Sequence, residues 1–379
     1  MLLEILWSIV LCVDVIPLGA YILYMRRIAR EKPWNVRIDT SYEPNISILI
    51  PVYEEEGTIL RKLENIAELD YPPEKMELIV VDSASKDRTV TLAEDWIEKH
   101  PNIKGHVISQ TERKGMVNGL NEGLKYVTGD VVVKTDSDCL LLKDSVKQCL
   151  KYLSDPKVGS VAGRHIITSA IESNSVQIER TYREFYAWLR IGESKLFSTV
   201  LYEGELMLVK KPLIMNIGFD EEIGGDDVPL ALRLSKDGYR AITAEDAFFI
   251  EQTPYSWREK FHQKIRRGRH VFQALWKYKN INFKSRSAFN SLILPFETFI
   301  YIINPIIMLP LVPLSVAMFI RYPWFLLVFG LLLVKTIRQL FVTHFVNSWI
   351  MLAAIGMEVR GREKQTWDKI QEIRQDVPK

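Results

Sequence analysis

The hydrophobic residues of this chain gather at its two ends and alternate with polar ones in between. Leu2–Tyr24 is a predominantly apolar stretch that is long enough to cross a bilayer as a helix. Arg26, Arg27, Arg30 and Lys32 follow it, and almost no positive charge precedes it, which predicts that the downstream chain is cytoplasmic. A cleaved signal peptide would show the opposite charge order and a small-residue cleavage site. We therefore expect an uncleaved anchor.

Between Ile46 and about Ala244, short apolar runs alternate with amphipathic stretches of helical period. This pattern predicts an α/β domain with a mostly parallel sheet flanked by helices. The predicted strands are Ile46–Ile50, Leu78–Val81, Ile103–Ile108, Val131–Val133 and Val158–Ala162, and the predicted helices are Gly57–Leu69, Thr89–Glu98 and Gly115–Val127. Ile171–Val200 and Lys264–Lys279 mix aromatic and basic residues, which indicates helices at a membrane interface or ordinary packed helices.

The C-terminal part is again apolar. Leu292–Ile320 is long enough to cross once, and Trp324–Val334 together with Leu340–Ala354 supplies a second crossing and an interfacial piece. A basic tail and a cytoplasmic domain require an even number of C-terminal crossings, so we expect three membrane helices in all. The predicted layout is an anchor at 1–26, an α/β domain at 44–270, an interfacial amphipathic segment at 271–290, a transmembrane region at 291–356 and a basic cytoplasmic tail at 357–379.

An acidic residue interrupts the N-terminal apolar stretch. Asp14 lies inside the N-terminal anchor near Pro17. An intramembrane carboxylate is a functional candidate, but we favour a kink that is packed against protein.

The net charge is +2, from 49 basic and 47 acidic residues, so nothing global suggests a nucleic-acid partner. The three cysteines form no Cys-x-x-Cys pair and are expected to be reduced thiols.

Asp136 and Asp138 follow the apolar run Val131–Val133 and are predicted to lie at the carboxyl end of a buried strand, where open α/β sheets bind ligands. In an extended Asp-x-Asp both side chains point to the same face. They can therefore bind one divalent cation, and such a cation can neutralise a departing diphosphate. A capping cluster at a strand-to-helix turn explains the same motif.

Other polar loops follow the neighbouring strands. Pro51, Tyr53 and Glu54 come after the first strand, and Asp82 ends the second, so all are predicted to line the same edge as Asp136. A carboxylate such as Asp82 can accept a hydrogen bond from a nucleobase, and Tyr53 can stack on the base. Lys114 precedes a helix whose amino end suits an anion. Singly, each loop is also typical of a helix cap or turn.

Gly225, Asp226 and Asp227 stand at the start of a predicted helix that ends at Lys236. The two acids can be N-caps that suit the helix dipole, or one of them can be a general base. The glycine would allow close approach by a substrate.

Further on, Gln263, Arg266 and Arg267 belong to a densely basic stretch. It predicts either a membrane-surface patch or a clamp on a diphosphate.

In their order and spacing these motifs resemble the family-2 inverting glycosyltransferases. The closer resemblance is to the membrane-embedded branch that includes hyaluronan, cellulose and poly-N-acetylglucosamine synthases and ceramide glucosyltransferase. It covers roughly Ile46 to Arg269 and implies a GT-A nucleotide-sugar domain with N- and C-terminal transmembrane helices.

The resemblance also implies roles for the donor-side residues. Asp82 would contact the nucleobase beside the Pro51–Glu54 loop. Asp136 and Asp138 would hold the sugar nucleotide and a Mn2+ or Mg2+ ion, with Asp138 the more direct metal ligand. Lys114 would join them in donor binding.

On the acceptor side, Asp227 aligns with the second acid of the branch's Gly-Glu-Asp, the catalytic base, and Gly225 and Asp226 precede it. Arg266 matches the diphosphate-binding arginine of Gln-x-x-Arg-Trp, which begins here at Gln263. Arg267 stands where that motif has tryptophan, so the aromatic platform for an acceptor sugar is replaced. This departure speaks against processive polymer synthesis.

The expected function is therefore that of a membrane-bound, metal-dependent, inverting hexosyltransferase. It would move a sugar from a nucleotide-sugar, with UDP favoured by the resemblance, to a lipid, lipid-linked or glycan acceptor at the cytoplasmic membrane face. One alternative is a processive polysaccharide synthase that exports its polymer. The others are a sugar nucleotidyltransferase, which needs no membrane anchors, and a non-catalytic membrane scaffold, which has no need of acids at 136, 138 and 227.

Overall fold

The computed structural model describes residues 1–324, 327, 330, 333–361 and 372, and for 335–337, 339 and 340 only the backbone. Within these residues, eight strands form one sheet. Their bounds are β1 Ile46–Val52, β2 Met76–Asp82, β3 Lys104–Ser109, β4 Val131–Thr135, β5 Cys139–Leu141, β6 Val158–Thr168, β7 Leu206–Lys210 and β8 Arg240–Gln252.

Helices cover both faces of this sheet and continue beyond it at both ends of the chain. Their bounds are α1 Leu2–Glu31, α2 Ile59–Ala67, α3 Thr89–Lys99, α4 Met116–Leu124, α5 Ser145–Leu153, α6 Asn174–Leu196, α7 Lys211–Ile217, α8 Asp227–Lys236, α9 Trp257–Lys277, α10 Leu294–Thr298, α11 Asn304–Arg321 and α12 Lys335–Val359. Short π-helical turns at Phe289–Ile293 and Phe299–Ile303 connect to α10 and α11.

The strand order is β3-β2-β1-β4-β7-β6-β8-β5. The first four strands are parallel, as are β6 and β8, whereas β7 runs antiparallel to both of its neighbours and β5 runs antiparallel to β8. The predicted α/β class with a mostly parallel sheet is thus confirmed. Because β7 is reversed, its amino end lies at the same edge as the carboxyl ends of β1, β2 and β4.

The apolar runs that predicted the strands are buried on both faces, as parallel strands between helical layers require. Val131 and Val133 of β4 pack in the core layer that contains α2, α3 and α5, while Val132 packs in the layer that contains α4, α7 and α8. Alternation along β4 therefore directs Lys134 toward the second layer. β5, β7 and β8 were not predicted from the sequence.

Within the part of the chain that the structure describes, three helices are long and apolar enough to cross a membrane: Leu2–Glu31, Phe289–Arg321 and Phe341–Val359. This number agrees with the three crossings expected from the sequence. The last crossing helix begins at Lys335 rather than within 324–334, and part of that segment lies outside the described residues. Within the predicted tail, residues 362–371 and 373–379 also lie outside them.

The anchor is held by polar and apolar contacts to the rest of the chain. Asp14 is buried and accepts a hydrogen bond of 2.6 Å from the Asn304 amide, while its other oxygen lies 3.2 Å from His344 Nε2. The carboxylate therefore joins all three membrane helices, consistent with its protein-packed interpretation. Further along α1, Met25 packs against α6, whose second half is buried from Leu189 to Lys195. The latter part of α6 is thus an ordinary packed helix.

Gly192 makes the close crossing of α1 and α6 possible, because a Cβ there would overlap the Met25 carbonyl group. We predict that Gly192→Ala destabilises the protein by about 1–3 kcal/mol through overpacking. Thermal unfolding in detergent measures the expected drop in Tm. Gly19→Ala is the matched control, since a Cβ at Gly19 meets nothing within 4 Å and both changes carry the same helix-propensity gain. Equal Tm values for the two variants would contradict the predicted crossing.

Candidate active site

The loops after β1 and β2 form a compact polar corner at the edge of the sheet. Asp82 is buried and one of its oxygens accepts a hydrogen bond of 3.0 Å from the Ser85 amide, while its Oδ1 has no partner among the described residues. Glu54 adopts a positive φ of 51°, and its amide donates to Ser85 Oγ at 2.6 Å. The guanidinium of Arg113 lies 3.8 Å from the centre of the Tyr53 ring. This corner offers a buried hydrogen-bond acceptor, Asp82 Oδ1, and an aromatic ring, that of Tyr53.

Two further predicted donor-side residues are Pro51 and Lys114. Pro51 belongs to β1 and pairs with Val81 in the sheet, so its position is set by the strand. Lys114 is half-exposed and pairs with Glu112 at 3.0 Å. Its predicted contact with a donor therefore remains a prediction.

Asp136 and Asp138 follow β4, one strand beyond β1, so about 10 Å separates their strand from that of Asp82. The buried ammonium of Lys134 lies 2.7 Å from Asp136 Oδ1 and 2.8 Å from Asp226 Oδ2. Burial alone would lower the pKa of Lys134, but the two carboxylates raise it above its usual range. One cation thus joins the Asp-x-Asp segment to the acids before α8.

Asp138 is the acid whose surroundings suit a divalent cation. Burial, together with the negative charges of Asp136, Glu55, Glu251 and Glu205, raises its pKa to about 7. Oxygen atoms from several carboxylates are the ligands that Mn2+ and Mg2+ prefer. Because the ammonium of Lys134 already engages Asp136, Asp138 fits the role of metal ligand better than Asp136 does.

Asp226 and Asp227 meet the Asp-x-Asp segment although 88 residues lie between positions 138 and 227. Asp226 precedes α8 and Asp227 is its first residue; Asp227 Oδ1 accepts from the Val228 amide at 2.7 Å. Burial, and then the charge of Asp226, raise the pKa of Asp227 to about 7. A carboxylate with this pKa can exchange a proton near neutral pH, as a general base must.

Gly225 lines the same cavity as these acids, but its lack of a side chain has an explanation within the chain. A Cβ on Gly225 would lie 3.1 Å from His270 Cβ, and one on Gly224 would lie 2.7 Å from His270 Nε2. The close approach that the glycines permit is therefore made by α9. A role in admitting a substrate is not needed to account for them.

A cavity of about 170 Å³ brings many of these groups together. Its wall is shared by the sheet edge, α6, α9 and the membrane helix α12. The lining includes Lys134, Asp136, Glu203, Glu205, Gly225, Asp226, Asp227, Lys264, Arg266, Arg267, Asn347, Ile350 and Met351. Asp82, Asp138 and Gln263 are not among the lining residues, although Asp138 and Asp227 both lie in the field of Glu205.

Arg266 and Arg267 are neighbours in α9 with different surroundings. Arg266 lines the cavity. Arg267 lies 2.8 Å from Glu205 Oε1 and 3.0 Å from Glu251 Oε1, so carboxylates bind its guanidinium. At this position the chain therefore presents an ion pair where an aromatic ring would offer a face to a sugar.

No sequence pattern predicts a role for Lys134, Glu203, Glu205 or His165. His165 lies between Glu203, at 2.5 Å, and Glu251, at 2.6 Å. His165, Glu203 and Glu205 bring possible metal ligands within 4.8 Å of one another. However, Arg183 and Arg190 pair with Glu203, and Arg267 pairs with Glu205. We interpret this group as a charge-balanced network that forms part of the cavity wall.

The signal for Glu203 and Glu205 was weak because the strand that follows them, β7, was not predicted. Thr135 is paired with Leu206 in the antiparallel β4–β7 ladder, which places Glu205 beside Asp136. The alternating acids Glu203 and Glu205 just before an apolar run were the available indication.

Comparison with known proteins gives consistent matches. The family model for Glycosyl transferase family 2 matches residues 47–223. The solved structure of mannosyltransferase PcManGT from Pyrobaculum calidifontis, in complex with GDP-Man and Mn2+, is 33% identical and has a TM-score of 0.80. The match covers 94% of this chain and 100% of the PcManGT chain.

Three curated relatives are each 28% identical over part of this chain. The first is a probable glycosyltransferase, YdaM, from Bacillus subtilis, and the match covers 60% of this chain and 55% of YdaM. The second is a dolichyl N-acetyl-alpha-D-glucosaminyl phosphate 3-beta-D-2,3-diacetamido-2,3-dideoxy-beta-D-glucuronosyltransferase from Methanococcus voltae, and the match covers 59% of this chain and 71% of that protein. The third is a poly-beta-1,6-N-acetyl-D-glucosamine synthase from Staphylococcus aureus, and the match covers 52% of this chain and 47% of that protein. This chain therefore spans about half the length of the first and third relatives.

We predict that Asp138→Ala removes the gain in affinity that Mn2+ gives to a nucleoside diphosphate. Losing even an outer-shell partner of a metal costs about 10- to 100-fold in metal affinity, and loss of a ligand should cost at least as much. Calorimetric titration of GDP and UDP with and without Mn2+ measures the effect. Asp95→Ala, an exposed change on α3, is the control. An unchanged Mn2+ effect in Asp138→Ala would exclude Asp138 as the ligand.

Proposed function

This chain belongs to glycosyl transferase family 2, and on that premise we propose that it is a membrane-bound, metal-dependent, inverting hexosyltransferase. It moves a sugar from a nucleoside diphosphate donor to an acceptor that is a lipid, a lipid-linked glycan or a glycan at the membrane surface. The donor class is common to the GDP-Man of the solved relative and to the UDP-sugars that the family resemblance favours.

The observation that carries this proposal is the content of the cavity. Asp136 lies at the carboxyl end of a parallel strand, Asp227 at the start of α8, and Arg266 on α9, yet all three line one hollow. A group transfer from a diphosphate needs an acid-lined donor side, a base for the acceptor and a cation for the leaving group. Neither a nucleotide-binding scaffold nor a capping cluster requires this combination.

On the donor side, Asp82 Oδ1 accepts a hydrogen bond from a nucleobase, and the Tyr53 ring stacks on the base. The diphosphate then extends across β1 toward Asp138 and Arg266. A divalent cation bound by Asp138 would balance the charge of the diphosphate as it departs. Arg266 contributes a guanidinium fork to the same charge.

On the acceptor side, Asp227 removes the proton from a hydroxyl as its oxygen attacks the anomeric carbon. Attack comes from the face opposite the nucleotide, so the configuration inverts in one displacement. If the acceptor is instead a phosphate, it needs little activation, and Asp227 mainly orients it.

The position of α12 supports an acceptor that is bound at the membrane. Asn347, Ile350 and Met351 of this apolar helix line the cavity that also contains Asp227. The basic residues after α1 favour a cytoplasmic catalytic domain. Arg267, engaged by Glu205 and Glu251, favours single transfer over processive synthesis, because no aromatic ring occupies that position.

A panel of donors tests the reaction. The full-length protein in lipid nanodiscs is incubated with Mn2+ and with GDP-mannose, UDP-glucose, UDP-N-acetylglucosamine or UDP-glucuronate, with and without an extract of polar membrane lipids. We expect one donor to give a lipid-soluble product with a single added sugar and inverted configuration, measured by mass analysis and NMR. A ladder of sugars would support the processive alternative. Release of pyrophosphate in a separate incubation with a nucleoside triphosphate and a sugar 1-phosphate would support a nucleotidyltransferase.

We predict that Asp227→Asn reduces transfer by about 10²- to 10⁴-fold, the usual contribution of a general base, while donor binding changes little. The measurement combines initial rates with calorimetric binding of the donor. Asp237→Asn, an exposed change at the other end of α8, should retain full activity. Parent-like turnover by Asp227→Asn would remove the base assignment.

The transfer rate should also depend on pH in a defined direction. Asp227 is a base only when deprotonated, and its pKa is raised to about 7. The rate with a hydroxyl acceptor should therefore rise about tenfold per pH unit below neutrality and level off above about pH 7. Initial rates between pH 5 and 8.5 measure this profile, with the residual rate of Asp227→Asn as the reference. A profile that is flat across this range would contradict the assignment.

A further inference from the structure

Lys134 is the one feature of the cavity whose residue type the apolar pattern of its strand does not explain. It interrupts the run that begins at Val131, and its side chain is only 1% exposed. Burying an ammonium costs free energy unless carboxylates and hydrogen bonds compensate it. Here two carboxylates from different parts of the chain do so, Asp136 at 2.7 Å and Asp226 at 2.8 Å.

The two partners lie on opposite sides of the proposed reaction. Asp136 belongs to the donor-side segment after β4, whereas Asp226 immediately precedes Asp227, the proposed base. A single ammonium that binds both fixes the distance between these segments more tightly than packing of either loop alone. Displacement of a catalytic group by about 1 Å can cost 10²-fold in rate.

We propose, on the basis of the function proposed above, that Lys134 is a positioning residue that locks the Asp227 segment against the donor-binding segment. It does not contact the reacting atoms and forms no bond in the reaction. Its ammonium holds Asp226, and through the backbone it holds Asp227 at the correct distance from the anomeric carbon.

A glycine beside the ion pair provides an independent observation. A Cβ on Gly204 would lie 3.1 Å from Asp226 Oδ2 and 3.3 Å from Lys134 Nζ. Because position 204 has no side chain, there is just enough space beside it for the Lys134–Asp226 contact. Gly204→Ala should displace that contact while leaving both charges in place.

The geometry also separates the tasks of the two aspartates in the Asp-x-Asp segment. Asp136 Oδ1 is engaged by Lys134, and Asp138 has other carboxylates in its field. Through Lys134, Asp136 is connected to Asp226 and so to the proposed base, whereas Asp138 remains the proposed metal ligand. A lysine variant should consequently change turnover much more than it changes Mn2+-dependent nucleotide binding.

The test compares Lys134→Met, Lys134→Arg and Gly204→Ala in the full chain. Lys195→Met is the matched control, because Lys195 is also a buried lysine paired with a carboxylate, Glu245 at 2.9 Å, but lies outside the cavity lining. For each variant we would measure kcat, the KM for the donor, the affinity for GDP and UDP with Mn2+, and the Tm.

We expect Lys134→Met to lower kcat by about 10²-fold, with nucleotide affinity close to that of the parent. Lys134→Arg should restore much of this loss, since it keeps the charge, and Gly204→Ala should lower kcat in the same selective manner. Lys195→Met should lower the Tm without a selective loss of kcat. If Lys134→Met does not fold, Gly204→Ala and Lys134→Arg still give the comparison.

Two results would overturn the assignment. The first is a parent-like kcat in Lys134→Met or, where that variant does not fold, in Gly204→Ala. The second is a loss in Lys134→Met that Lys195→Met reproduces at equal Tm, since the role would then be structural. A parent protein that turns over none of the donors would overturn the proposed function and this inference together, whereas an active parent separates the two.

Discussion

The sheet edge that carries the candidate site depends on balancing a dense group of buried and partly buried carboxylates. Asp136, Asp138, Glu205, Asp226 and Asp227 approach one another there, and isolated buried charges of one sign are strongly unfavourable. The chain compensates three of them with its own cations: Lys134 serves Asp136 and Asp226, and Arg267 serves Glu205. Asp138 and Asp227 have raised pKa values of about 7. These are the two acids with proposed chemical roles: Asp138 as a metal ligand and Asp227 as the base that takes a proton from the substrate.

The reversed strand β7 makes this concentration of charge possible. In a fully parallel sheet the amino end of each strand lies at the edge opposite the site, so a segment that leads into a strand could not contribute to it. Because β7 is antiparallel to β4, the segment containing Glu203 and Glu205 enters from the same edge as Asp136 leaves. The acids then face α6 and α9, whose arginines bind them.

Much of this arrangement could be predicted from the sequence, because it follows from local patterns. Runs such as Val131–Val133 indicate buried strands, and acids directly after them must lie at one edge. The pairing of Lys134 with Asp226 could not be predicted, since it joins positions 92 residues apart through packing of α8 on the sheet. Likewise, the sequence indicates that Arg267 stands where the family motif has an aromatic residue. Its ion pair with Glu251 could not be predicted, because the polar residues of β8 hide the strand in the sequence pattern.

The helices that provide this charge balance also connect the α/β domain to the long apolar helices. Glu203, which faces the cavity, is bound by Arg190 of α6, and the same part of α6 packs against α1, where Tyr21 donates to Glu193 at 2.6 Å. On the other side, α9 carries Arg266 and Arg267 and packs along α12, where Gly268 lies close to Met351. The helices that supply cations to the site are therefore the ones that contact the membrane helices. A change in how α1 or α12 packs would move those cations relative to the carboxylates, so these apolar helices are structural components of the candidate site as well as candidate membrane spans.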